Sequence, residues 1–243
     1  WGFEVVAPEN SMTLVFGDTA LRVPFNLFLH FQAAGILGHE NHRRFGDFFP
    51  IRFDFLDTIE GTNLSLQVHP PDAYINSHFH EPFAQHEMYY ILETRPGAKV
   101  YLGLQEATSR ESFLNDVSHA QSQQIAFEIT KHVNAWDASR GDLFVIPAGT
   151  VHCSGANNLV LEISATPYIY TFKIYDYLRP DLDGTPRPIS YERAFEVIDF
   201  HRKTAWVREN LLTRPRRLAA SEGWRRLLLT DSSLVFHHVE QIE

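Results

Sequence analysis

In Leu64-Ser65-Leu66-Gln67-Val68-His69 the side chains alternate strictly between apolar and polar. On an extended strand Leu64, Leu66 and Val68 share one face, and Ser65, Gln67 and His69 share the other. Residues two apart on one face lie about 7 Å apart at Cα, so Gln67 and His69 can converge on one ion. Glu87 opens a second strand-like run, Glu87-Met88-Tyr89-Tyr90-Ile91-Leu92, with Tyr89 on its own face. His152 follows Pro147-Ala148-Gly149-Thr150-Val151, a turn-rich approach that can aim a side chain inward. Two histidines, a carboxylate and an amide oxygen make an N/O set that suits zinc, with manganese, iron or cobalt also admissible. The same alternation suits the solvated face of a strand, and the chain carries 13 histidines. Spacing alone leaves both readings open.

The elements that must position these residues are mostly strands. Ile51 to Leu56 and Asn63 to Val68 read as strands, and turn signals stand at Pro8-Glu9-Asn10, Gly17-Asp18 and Gly61-Thr62-Asn63. Glu87 to Glu93 and Lys99 to Leu102 flank Arg95-Pro96-Gly97 and read as a hairpin. Between 105 and 140 the texture changes: Thr108-Ser109-Arg110-Glu111 fits a capping box, and helical spacing without proline runs to Val133. Strands resume over Gly141 to Pro147, Leu159 to Ile163 and Tyr168 to Tyr177. Ser190 caps a helix expected to reach about Arg202, and two further strands begin at Arg216. The pattern predicts an all-β sandwich or barrel with a helical insertion. The expected division is 1–180 for the metal-binding unit and 181–243 for a helix plus strands.

Composition narrows the function classes. The chain has 243 residues, 44% of them hydrophobic, which is ample for a packed core. Its formal charge of −9 argues against a nucleic-acid or anionic-membrane surface. One cysteine, Cys153, allows no intrachain disulfide and fits a reducing, cytoplasmic compartment. No apolar run approaches a membrane span, and no signal-peptide pattern opens the chain. The chain begins at Trp1 rather than Met and closes on the strand-like Leu234-Val235-Phe236-His237-His238-Val239, which suggests an excerpt of a longer polypeptide. Oligomeric state is left open.

Leu64 to Pro70 with Asp72, Glu87 to Leu92, Pro96 to Gly103, Gly141 to His152, Leu161-Glu162-Ile163, and Tyr175-Asp176-Tyr177 with Arg179 together resemble the type I mannose-6-phosphate isomerase family. Trp1-Gly2 and Phe55-Leu56-Asp57 also resemble family landmarks. The likeness runs in order along nearly the whole chain. It implies a zinc-dependent cupin, a jelly-roll β-barrel, with Gln67, His69, Glu87 and His152 where the family's four metal ligands stand. It implies that residues 181–243 begin a second, smaller cupin-like domain. It also implies interconversion of an aldose phosphate and a ketose phosphate, in which a proton moves between C1 and C2 through an enediol. Glu162 aligns with a family carboxylate beside the metal and is the candidate base; outward placement between Leu161 and Ile163 is the alternative. Ser65 resembles a substrate contact. Lys173 stands where the family carries arginine, as a cation for the enediolate or the phosphate.

Three cationic positions depart from that pattern. Gln85 and Asp54 stand where lysines are expected, and Lys173 lacks arginine's planar fork. Ile189-Ser190 replaces a Leu-His pair. The metal cup is retained while the phosphate grip is altered, so a non-catalytic sugar-binding or regulatory module is a competing expectation, and an iron-dependent cupin oxygenase is a third. His78, His80 and His86 form a rival cluster, read as loop and rim residues beyond Pro70-Pro71. Cys153 points away from its neighbour His152 and reads as a small buried residue. Tyr89 and Tyr175 are candidates for cavity lining or for core. Arg214, Arg216 and Arg217 read as a solvated basic cluster, with phosphate binding as the alternative.

Overall fold

Short apolar runs between glycine and proline turns assemble into two large antiparallel sheets. The computed structural model describes residues 2–3, 11–166, 168–213, 215–235 and 238–242, the first two in backbone only. Trp1, the Pro8-Glu9-Asn10 turn, Arg214 and the 236–237 part of the expected last strand lie outside the described residues.

Chain order begins with β1 (Gly2–Phe3), β2 (Ser11–Phe16), β3 (Thr19–Pro24), α1 (Phe25–Phe45), β4 (Arg52–Asp57) and β5 (Leu66–Val68). It continues with α2 (Asp72–Phe79), β6 (Glu87–Thr94), β7 (Lys99–Leu104), α3 (Arg110–Gln123), β8 (Val133–Asp137), β9 (Leu143–Ile146) and β10 (His152–Ser154). Then follow β11 (Asn158–Ser164), β12 (Phe172–Tyr175), α4 (Tyr191–Val197), α5 (Thr204–Asn210), β13 (Leu212–Thr213), β14 (Arg216–Ser221), β15 (Trp224–Thr230) and β16 (Val239–Ile242). One sheet has the order β1-β4-β11-β6-β9-β13 and the other β12-β5-β10-β7-β8. The hairpin β2–β3 turns at Gly17-Asp18, as its sequence signals, and β14-β15-β16 form a separate three-stranded sheet.

Two apolar clusters sandwich the second sheet. Leu66, Val68, Val133, Cys153, Phe172 and Ile174 pack outward against Phe113 and Val117 of α3 and Phe195 of α4. Val100 and Leu102 face the other way, onto Tyr89, Ile91, Phe144 and Val160 of the first sheet. The strict alternation of β5 is therefore used in full, with its apolar face on the helices and its polar face between the sheets.

Several expectations are corrected. The chain does turn at Arg95-Pro96-Gly97, with Ala98 N–H donating to Arg95 O at 3.1 Å. However, β6 and β7 do not pair: β6 lies between β11 and β9, and β7 between β10 and β8. The turn carries the chain across from one sheet to the other, so that Val100 and Leu102 of β7 face Tyr89 and Ile91 of β6 in one shared core. The capping box is shifted by one residue, since Ser109 caps α3 and exchanges hydrogen bonds with Ser112. The helix stops at Gln123, and Val133 already belongs to β8, so the helical part of the insertion is shorter than 105–140. Residues after Pro70-Pro71 form α2 rather than a loop. Extended Pro71 delivers Asp72 into the first turn, where a carboxylate favours the helix dipole. α1 was not signalled: it is broken by non-helical backbone at Gln32 and Gly38, and among its described residues only Leu29 and Ala33 are buried. Ser190 precedes α4 as expected, but its hydroxyl accepts from Lys173 N–H rather than capping, and the helix ends at Val197.

Gly103 holds the one backbone device on which β7 depends. Its φ of +70° breaks the strand's alternation, so that Leu102 faces one core and Leu104 the other. A Cβ there would stand 2.2 Å from Val207 Cγ2 of α5. We expect Gly103→Ala to lower unfolding free energy by about 3 kcal/mol, from left-handed backbone strain plus overpacking. Urea denaturation with an unchanged slope checks it.

Candidate functional site

The polar face of β5 meets polar residues of β10 and β6 between the two sheets. Gln67 and His152 are register partners across β5 and β10, and Gln67 Nε2 lies 3.3 Å from His152 Nε2. Glu87 reaches across from β6: its Oε2 is 3.0 Å from His69 Nε2 and its Oε1 is 2.8 Å from His152 Nε2. His69, Glu87 and His152 are all buried, and their nearest ligand-type atoms lie within 4.8 Å of one another. These three could hold a metal ion.

The backbone decides how the imidazoles are oriented. His69 Nδ1 is 2.8 Å from Tyr170 O, and His152 Nδ1 is 2.8 Å from Thr150 O. A carbonyl only accepts, so each Nδ1 must carry its proton. Both Nε2 atoms are thereby turned on the Glu87 carboxylate. Burial alone would raise the Glu87 pKa, but the facing His69 and His152 rings outweigh it and hold the carboxyl well below its usual range. His69 Nε2 and Glu87 Oε1 are nonetheless buried without a well-formed hydrogen bond. If the rings give up the Nε2 protons that favour the charged carboxylate, lone pair faces lone pair, and a shared cation takes the protons' place. The tied Nδ1 groups are the outer partners that metal-ligating histidines usually have. The donor set fits a divalent ion.

Beside this group lies a cavity of about 260 Å³ that Ser65, Gln67, Glu162 and Lys173 help to line. Glu162 points inward: along β11, Asn158, Val160, Glu162 and Ser164 are buried while Leu159, Leu161 and Ile163 are only half-buried. Burial, and next the charge of Glu87, push the Glu162 carboxyl well above its usual range, against the opposing pull of Arg52. Arg52 Nη2 donates to Glu162 Oε1 at 2.7 Å, and Arg52 Nη1 pairs with Asp54. A second charge cluster gathers around buried Asp176, with Lys173, Arg179 and Arg187 each 3.5 Å from a carboxylate oxygen.

No family model matches the chain. Among curated proteins, it is 30% identical over 165 residues to the mannose-6-phosphate isomerase ManA of Bacillus subtilis, covering 66% of this chain and 49% of that one. It is 29% identical over 150 residues to the mannose-6-phosphate isomerase of Streptococcus mutans, covering 62% and 44%. The crystal structure of the Bacillus subtilis mannose 6-phosphate isomerase superposes with a TM-score of 0.72 at 20% identity, over 94% of this chain and 65% of that one. By sequence the chain is similar to mannose-6-phosphate isomerases, and it shares the fold of the solved Bacillus subtilis structure. It spans about half the length of the curated relatives it matches.

The structure brings together Gln67, His69, Glu87 and His152, and sets Glu162, Ser65 and Lys173 around the adjoining cavity. Gln85, in the place of a family lysine, donates to Glu87 Oε2 at 3.0 Å and accepts from Tyr170 N–H at 2.7 Å. A neutral amide has thus become a brace for the carboxylate. His78 and His80 are exposed, His78 stacking on Tyr74 at 3.9 Å, and neither joins the buried group. Tyr175 is core, and its hydroxyl accepts from Phe127 N–H. Tyr89 instead meets the site, its ring edge-on to His152 at 5.9 Å. Arg216 and Arg217 are exposed on β14. Arg52 and Arg187 were not singled out by sequence reading. Arg52 sits in a run whose expected cation lies two residues later, and Arg187 sits in a turn-rich segment with no periodicity.

Cys153 packs into the outer core, away from His152, and burial pushes its thiol pKa up to about 12. We expect Ellman's reagent to leave Cys153 unmodified in the native protein at pH 8 and to titrate one thiol in urea. Rapid native labelling would contradict the packing.

Proposed function

We propose that the chain carries a metal-dependent aldose–ketose isomerase site for a sugar phosphate, interconverting mannose 6-phosphate and fructose 6-phosphate. The observation that carries this reading is the meeting of half-buried Gln67 with buried His69, Glu87 and His152 beside a cavity that Glu162 lines. These four would hold zinc, with manganese, iron or cobalt as alternatives of the same donor chemistry. When bound, such an ion supplies a Lewis acid that polarises the sugar's oxygens and offsets the negative charge that develops on them.

The chain's own residues do the rest. Glu162, ionised, takes the proton from one carbon of the C1–C2 pair and returns it to the other, passing through the enediol. Lys173 places an ammonium where charge builds on the enediolate or on the phosphate, and the Ser65 hydroxyl offers a hydrogen bond to the substrate. Arg179, which also donates to Asn63 O, and Arg187 stand beside Asp176 with further donors for an anionic group. Tyr89 stays a neutral phenol at the site, because burial and the nearby Glu87 and Glu162 charges oppose its ionisation. On this reading the two large sheets form the cupin barrel, and the sheet β14-β15-β16 starts a second cupin-like unit.

Asp54 and Gln85, in the places of cations, favour a second reading, a non-catalytic sugar-binding module that keeps the metal cup. Metal-loaded protein incubated with fructose 6-phosphate in heavy water separates the two. Deuterium at C2 of the aldose is expected, and no exchange with any hexose or hexose phosphate supports the binding module instead. Glu162→Gln should slow exchange by about 100- to 10,000-fold with metal content unchanged. The base must be ionised and its carboxyl pKa is raised, so the rate should fall as pH drops through a value above the ordinary carboxylate range of about 4.3. A pH profile of kcat checks that sign.

Equilibrium dialysis tests the metal cup separately. The protein should take up about one equivalent of zinc and melt at a higher temperature with it, as any ligand of the native state requires. Glu87→Gln should lose both effects. Equal zinc uptake by the variant would remove Glu87 from the ligand set.

A further inference from the structure

The charge arrangement on β4 differs from what the family pattern leads one to expect. An acid, Asp54, stands at the expected lysine, and Arg52 stands two residues earlier on the same face of the strand. Across the β4–β11 pair, Asp54 is the register partner of Glu162, and Arg52 is the register partner of Ser164. Two carboxylates directly opposite one another repel. Arg52, 2% exposed, lies against both, with one guanidinium nitrogen on Asp54 and the other on Glu162 Oε1. Ser164 Oγ also donates to Oε1, at 3.0 Å. Both donors thus hold the same oxygen, and among the described residues none donates to Oε2. Arg52, Asp54 and Glu162 all line the cavity together with Gln67 and Lys173.

We propose that Arg52 is a positioning residue: its planar fork, braced by Asp54, fixes one oxygen of Glu162 and leaves the other turned to the substrate. The proposal rests on the reading of Glu162 as the proton-transferring group. Arginine suits this task because its fixed donors can join two carboxylates in one plane, which a lysine ammonium cannot do with the same directionality. Asp54 supplies the second anchor, so that the guanidinium is oriented by a residue that does not touch the reacting atoms. The displaced cation then acts on the base rather than as a free grip for a phosphate.

The test uses the zinc-loaded full chain with fructose 6-phosphate in heavy water and the variants Arg52→Ala, Arg52→Lys and Glu162→Gln. Arg52→Ala should lower kcat for exchange by about 100-fold while KM stays within about threefold and zinc content is unchanged. Guanidinium at a non-denaturing concentration should restore at least part of that loss, and the same concentration of potassium should not. Arg52→Lys, which keeps the charge, should remain well below wild type. Wild-type kcat in either variant, or a loss that guanidinium leaves untouched, overturns the proposal. If Arg52→Ala does not fold, Arg52→Lys decides on kcat and KM alone. If the wild type exchanges no sugar, the isomerase reading fails separately, and infrared spectroscopy judges Arg52. The carboxyl band lost in Glu162→Gln should shift in Arg52→Lys and in Arg52→Ala, and should return in the latter with guanidinium. A band that stays in place overturns the role of Arg52.

Discussion

A fully buried carboxylate, Glu87, stands between two imidazoles whose other nitrogens are already committed to backbone carbonyls. Removing such a charge from water costs several kcal/mol unless its partners are close and well oriented. Much of the surrounding fold supplies that orientation. The register that sets His152 opposite Gln67 joins two strands of one sheet. The crossing at Arg95-Pro96-Gly97 puts Glu87 in the other sheet, so its side chain comes from the opposite wall. The segment after Ser164 returns Tyr170 beside His69, and Gln85 ties that segment to Glu87 from behind. Shifting any one strand by a single residue would turn its polar side chain away from the space between the sheets.

Strand β11 shows the same constraint in its burial pattern. A strand packed for stability alone would put Leu159, Leu161 and Ile163 inside. Here Asn158, Glu162 and Ser164 are buried beside Val160, and Leu159, Leu161 and Ile163 are only half-covered. Asn158 compensates for its own burial by bonding Lys99 O and Gly155 O, and its backbone pairs with Thr58. Glu162 and Ser164 are compensated through Arg52. Inverted polarity maintained by a dedicated hydrogen-bond network is where local packing rules yield to a site.

The legible parts of the sequence were those with a fixed period. The alternation of Leu64 to His69 gave the correct faces, and the glycine-proline approach to His152 delivered it inward. Strands β4, β6, β9 and β11 were visible because branched and aromatic residues alternate between turn signals. α1 was hidden because Gly38 and the break at Gln32 interrupt its period. α2 was hidden because Pro70-Pro71 and the polar run Asn76-Ser77-His78 imitate a loop. The absence of β6–β7 pairing could not be read locally, since a short turn joins strands of one sheet or of two equally well. Glu162 was ambiguous for a related reason: alternation gives two faces but does not say which one is inside. Only the likeness to a known family chose between them, and the coordinates agree with that choice.

Charge around the cavity is divided in a way that composition cannot reveal. The chain is acidic overall, with a formal charge of −9, yet four cationic side chains, Arg52, Lys173, Arg179 and Arg187, line this one cavity. Asp54 and Asp176 are the acids that organise them, one binding Arg52 closely and the other holding three cations at 3.5 Å. Contacts that long leave the cations around Asp176 donors to spare, and three positive charges around one negative leave a local excess. Positive charge is therefore in excess on the side of Asp176, while Arg52 is already engaged by Asp54 and Glu162. The altered cation pattern lacks positive charge at Asp54 and Gln85 and keeps it at Lys173, Arg179 and Arg187 around Asp176.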